Sequence, residues 1–112
     1  MQAAIKRVTK MQDTTITTPR VQLELKVERP KLHKVILVND DFTPREFVTM
    51  VLKAEFRMGE ERARKVMMTA HQRGVCVVGV FTKEVAEEKA TNATDAGRKK
   101  GYPLLFTTEP EE

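Results

Sequence analysis

The stretch Val35 to Val48, VILVNDDFTPREFV, constrains this chain more than any other. Four apolar residues, Val35 to Val38, stop abruptly at a polar triplet, Asn39, Asp40 and Asp41, and a helix start follows at once. Thr43 supplies an N-cap oxygen, Pro44 suits the first helical position, and Glu46 lies three residues after the cap. Thr43-Pro44-Arg45-Glu46 therefore reads as a capping box. A buried strand then delivers one amide and two carboxylates to the mouth of a helix, an arrangement suited to a small cationic group. Phe42, inside the same loop, is expected to be anchored or to face a partner.

Punctuation is clear from Leu32 onward. A first strand is expected over residues 33–38. A helix from Pro44 to about Arg57 carries Phe47, Val48, Val51, Leu52 and Phe56 as an apolar stripe at helical spacing, and Gly59 is expected to end it. A second helix runs from near Glu60 to about Arg73, with Ala63, Val66, Met67 and Ala70 inward and Gly74 as its C′ residue. Val75 to Phe81 is a continuous β-branched run and is read as a strand central to the sheet. Thr82 caps a third helix reaching about Lys99, on which Ala86, Lys89, Ala90, Ala93 and Gly97 form a small-residue face. Gly101 breaks it, and Pro103 to Thr108 make a last strand. The order β-α-α-β-α-β defines an α+β fold, a three-stranded sheet packed by three helices.

Residues 1–30 lack sustained periodicity and end in Arg29-Pro30, so they are read as a flexible N-terminal extension, and residues 31–112 as the core domain. Val21, Leu23, Leu25 and Val27 alternate, which leaves a short edge strand open there. Met11 is a second candidate initiator. A chain of 112 residues has room for one modest core.

Net charge is +4, but residues 1–30 hold six Lys and Arg against three Asp and Glu, while residues 31–112 hold fourteen against thirteen. The folded part is nearly neutral, which argues against nucleic acid, a partner that wants a basic face. No apolar run approaches the roughly 18 residues of a membrane span, and the N-terminus lacks signal-peptide order. The single Cys76 excludes an internal disulfide, lies in the apolar run Val75 to Val80, and is expected to be a buried thiol. Cytoplasmic residence is the expectation.

Asn39, Asp40, Thr43 and His71 are the residues able to carry chemistry. Taken alone, His71 reads as a core or boundary histidine satisfied by the backbone, and Asp40 and Asp41 as turn formers. A metal site would need more ligands at shorter spacing, so neither metal nor cofactor is expected. No Ser or Cys nucleophile accompanies Asp and His, since Cys76 lies mid-strand, and catalysis is not expected. Met50, Met58, Met67 and Met68 read as core or surface filler, although Met67, one turn before His71, is placed to line a pocket beside it.

VILVNDDFTPREFV, the helix carrying Met67 and His71, GVFTKEVAEEK at residues 79–89 and YPLLFT at residues 102–107 together resemble the ClpS family, across about residues 32–107. That family comprises bacterial adaptors that hand N-degron substrates to a Clp AAA+ protease. The resemblance implies a deep apolar pocket for a substrate's first residue, with its free α-ammonium gripped at the rim by Asn39, Asp40 and His71. It maps the pocket wall to Thr43, Arg45, Val48, Met67, Ala70 and Leu104. Neutral His71 would offer a lone pair, so binding is expected to weaken as acid protonates it.

Two wall positions depart from the family pattern, which commonly has Met where this chain has Arg45 and Val where it has Ala70. Both changes favour aromatic first residues over Leu: Ala70 widens the wall, and the Arg45 guanidinium can stack on a ring. The resemblance also implies docking of Glu84 and Lys89 on the N-domain of a Clp unfoldase, ClpA or a relative, with residues 1–30 engaged during transfer. The protein is expected to act as a monomer, with neither nucleic acid nor membrane as partner.

Other classes stay open on the residues alone. A nucleic-acid or ribosome-associated module would use the basic leader and needs a basic face on residues 31–112. An enzyme acting on an N-terminal amino acid needs a nucleophile, metal set or phosphate loop. A ubiquitin-type ligase module keeps the pocket but changes the partner, and a short chain with its own leader argues against it.

Overall fold

The computed structural model describes residues 30–111, and the expectations for residues 1–29 lie outside them. The chain divides into units at Pro30 and Lys31, and the second unit is the one described. Its elements are β1 (Leu32–Val38), α1 (Arg45–Phe56), α2 (Glu60–Arg73), β2 (Val75–Thr82), α3 (Lys83–Lys99) and β3 (Leu105–Pro110). This is the β-α-α-β-α-β order read from the sequence.

The sheet order is β2-β1-β3, with both pairings antiparallel. The central strand is therefore β1, and β2, expected there, lies at an edge. Central position shows in burial on both faces: Val35 and Leu37 point to the helices at 0% and 2% exposure, and Ile36, on the other face, is still only 9% exposed. On β2 the continuous apolar run does not signify burial on two sides. Val75, Val77 and Val80 share the face of Ile36, which no helix covers, and remain exposed. One extra residue, Val78, is accommodated as a bulge between the pairs Ile36–Val77 and Val35–Gly79.

Helix boundaries follow local chemistry with two corrections. α1 ends with Arg57 in the left-handed region (φ 57°), while Gly59, expected to stop α1, sits at the N-cap of α2 and accepts from Ala63 N at 3.0 Å. Thr82 does hold the N-cap position of α3, but its hydroxyl makes no capping bond. The small face of α3 is buried as expected at Ala86, Ala90, Ala93 and Gly97. The three alanines pack with Val35, Leu37, Val51, Leu52, Val66, Val78 and Phe106 into one core. Among the described residues no helix is long and apolar enough to cross a membrane.

Candidate functional site

Past Val38 the chain is bolted to the end of α2. Gly74 takes a positive φ of 93° that side chains resist, donates its N–H to Ala70 O at 2.7 Å, and accepts from Asn39 N at 2.9 Å. The backbone of Asn39 is thereby fixed beside the last turn of α2, which carries His71.

Asp40 staples the loop that follows. Its Oδ1 accepts from the N–H of Phe42 and of Thr43, each at 2.8 Å, and the Thr43 hydroxyl lies 2.8 Å from Oδ2 and 3.0 Å from Oδ1. The expected capping box does not form. Thr43 instead donates its hydroxyl to the Asp40 carboxylate in a charge-assisted bond, and Pro44 becomes the N-cap, its carbonyl accepting from Phe47 and Val48 at 3.1 Å. Among the described residues Oδ2 of Asp40 accepts from that hydroxyl alone, so it keeps lone-pair capacity toward a further donor.

Between this loop, α1, α2 and the start of β3 lies a cavity of about 280 Å³. It is small among ligand sites and of a size for one side chain rather than an extended molecule. All nine residues that the resemblance assigns to rim and wall line it, namely Asn39, Asp40, Thr43, Arg45, Val48, Met67, Ala70, His71 and Leu104, and so does Asp41 of the polar triplet. Val48, Ala70 and Leu104 are buried and form the apolar wall with half-buried Met67, whereas Asp41, Arg45 and His71 are exposed at the mouth.

His71 is thus neither a core residue nor backbone-satisfied. Its Nε2 lies 2.8 Å from Nη2 of Arg45. Leu37, Val38, Phe42 and Pro44 also line the cavity, although the sequence reading left them out of the site. The signal for Phe42 was its place in the polar loop, and at 79% exposure it is not anchored.

Glu84 and Lys89 do not line this cavity. Glu84 is exposed in the first turn of α3. Lys89 is turned inward: Nζ donates to Glu55 O at 2.9 Å and lies 5.8 and 5.7 Å from the ring centroids of Phe56 and Phe81. Cys76 is half-buried rather than buried; burial nevertheless pushes its thiol pKa up, against the opposing pull of Arg62 and Arg73. Among the described residues no group of three His, Cys, Asp or Glu is placed to hold a metal ion.

A cavity with an apolar wall, capped by an amide, two carboxylates and an imidazole, has the make-up of a binding site on a sheet-and-helix scaffold. A model of the family described as ATP-dependent Clp protease adaptor protein ClpS matches residues 28–107. A ClpS 1 adapter of Rhodopseudomonas palustris is 80% identical over 93 residues, 83% of this chain and 90% of the relative. A ClpS 1 adapter of Bradyrhizobium diazoefficiens is 74% identical over 97 residues, 87% of this chain and 96% of the relative. The solved structure of Agrobacterium tumefaciens ClpS2 bound to L-phenylalaninamide superposes with a TM-score of 0.74 at 64% identity, covering 74% of this chain and all of that one. The chain belongs to the ClpS family of Clp protease adaptors, a non-catalytic role.

Proposed function

We propose that this adaptor binds the free N-terminal residue of substrate proteins in the cytoplasm, aromatic residues best and Leu more weakly. It hands them to the N-domain of a Clp AAA+ unfoldase. The observation that carries this reading is the convergence of a one-side-chain apolar cavity with acceptors at its rim. L-Phenylalaninamide, the ligand of the Agrobacterium relative, presents what an N-terminal Phe presents, a free α-ammonium beside a benzyl group. In this reading Asn39, Asp40 and His71 meet the ammonium, with Asp41 beside them at the mouth, and Val48, Met67, Ala70 and Leu104 enclose the side chain. Thr43 holds Asp40 in place.

Charge-assisted hydrogen bonds contribute about 1.5–3 kcal/mol each, and burying a Phe side chain about 1.5–3 kcal/mol more. Less the cost of ordering a peptide, micromolar binding near −8 kcal/mol results. Ala70 leaves space that a ring fills and Leu does not. Delivery falls to Glu84 at the exposed start of α3 and to residues 1–30. Lys89 supports that helix through its contact with α1, in addition to any direct contact it makes.

Fluorescence anisotropy with peptides differing only in residue one tests the reading. Phe should bind more tightly than Leu, and Ile and acetylated Phe should fail. Equal affinity for Phe and acetyl-Phe would remove ammonium recognition, and equal affinity for Phe and Leu would remove the widened wall.

A further inference from the structure

Arg45 opens α1 and His71 lies in the last turn of α2, and their side chains meet across the cavity mouth with Nη2 2.8 Å from Nε2. A guanidinium donates hydrogen bonds and accepts none, so Nε2 is the acceptor of this contact. The imidazole then carries its proton on Nδ1. Neither ring nitrogen has a lone pair left for a second donor. The rim of the ligand-free cavity therefore holds one fewer acceptor than its residues suggest, and it holds a positive charge beside the place an α-ammonium would take.

Resting on the function proposed above, we infer that Arg45 is a displaceable latch: its guanidinium holds the only acceptor of His71 until a substrate ammonium expels it. A ligand must then bind the fraction of molecules in which the latch is open, and its apparent affinity falls by that fraction. Both side chains are exposed, so the contact is weak, and its loss changes affinity by about two- to five-fold. That is small enough to yield to a good ligand and large enough to sort ligands.

Sorting follows from where the expelled guanidinium goes. An aromatic first residue at the same mouth offers a π face on which the cation can rest, which offsets the broken contact with His71. Leu offers none. Arg45 thus adds selectivity separate from the space left by Ala70, because it acts through the unliganded state rather than through the wall.

Two readouts test the latch on the full-length chain. In long-range ¹H–¹⁵N spectra of the ligand-free protein, the His71 imidazole should be the Nδ1–H form with a hydrogen-bonded Nε2. The Arg45→Met variant should lose the Nε2 signature. In anisotropy titrations, Arg45→Met should tighten a Leu-started peptide by about two- to five-fold and shrink the Phe-to-Leu affinity ratio, since a Phe-started peptide loses its stacking partner together with the latch. An Nε2–H imidazole in the free protein, or an unaltered Phe-to-Leu ratio in Arg45→Met, overturns the latch while leaving N-terminal recognition intact. Failure of every free-N-terminus peptide to bind, with the Nδ1–H signature present, overturns the proposed function and the gating role with it, although the Arg45–His71 contact itself stands.

Discussion

Leu104, a wall residue of the cavity, rests directly on Gly97 of α3, where an added Cβ would lie 2.7 Å from the leucine Cβ and 3.3 Å from its Cδ2. The nearest obstacle is fixed to the backbone of residue 104, so no rotamer change relieves it. Gly97→Ala should destabilise the fold by about 1–3 kcal/mol of overpacking, set against about 1 kcal/mol gained in helix propensity. It should also weaken Phe-peptide binding by pressing Leu104 toward the cavity. Urea denaturation with a parallel peptide titration checks both; a net gain in stability would show that the two elements part easily.

Thr43 tests the loop staple. Thr43→Val keeps the shape of the side chain and removes the donor to Asp40. Stability should fall by about 1 kcal/mol, and Phe-peptide affinity should drop because Asp40 loses its orientation. Thr43→Ser should restore both. If Ser rescues neither, the methyl packing of Thr43 matters as well as its hydroxyl; an unaltered Thr43→Val protein would show that the hydroxyl does not.

Lys89 ties α3 to the end of α1 through one carbonyl and two rings. Lys89→Met retains the stem and removes the ammonium. The expected cost is about 1–2 kcal/mol, from a helix-terminal hydrogen bond and the cation–π contacts. A Lys89→Met protein of unaltered thermal stability would leave unfoldase contact as the remaining role of this residue.

Burial raises the Cys76 thiol pKa. The folded protein therefore resists forming the thiolate, and stability should decline as pH climbs past the usual thiol range, since the unfolded chain ionises first. Alkylation by iodoacetamide near neutral pH should be much slower in the folded protein than in urea. Equal rates would mean the half-buried strand opens freely.

Glu60 bridges the helix pair, accepting from Lys53 on α1 and Arg64 on its own helix. The bond to Lys53, ahead of that to Arg64, lowers its carboxyl pKa. The stabilisation is therefore present above the usual carboxylate range and disappears as pH falls through the lowered folded value. The Glu60 side chain is about half exposed, at 49%, so the effect is small. Melting curves of wild type and Glu60→Gln should differ near neutral pH and converge in acid, and also in about 1 M salt.

Helices and strand boundaries were legible because each rests on local periodicity and punctuation: Gly74 ends α2, and the alanines of α3 mark its buried face. Strand order was not. The run Val75 to Val80 is apolar on both faces, yet only pairing in space reveals that one face stays open and that Ile36 of β1 is the residue covered from both sides. The N-cap differs from the capping-box reading for a related reason, since whether Thr43 or Pro44 takes that position depends on how the loop folds back onto Asp40. The cavity drew on four separate segments, and no periodicity joins Val48 and Ala70 to Leu104. Only resemblance to the family brought them together, and it gave no hint that Arg45 would meet His71.

The central place of β1 has a consequence for how the molecule comes into being. β1 is made before both of its neighbours, and its residues pair with partners as distant as His33 with Pro110. Such remote pairing slows folding, because a long stretch of chain must be closed before any contact rewards it. On the ribosome, Val35 to Val38 must wait unpaired on one side until residues 104–110 have emerged, and those residues also supply Leu104 to the cavity. Sheet and pocket are then completed in one late step, so the cavity lacks a wall until the last strand has emerged.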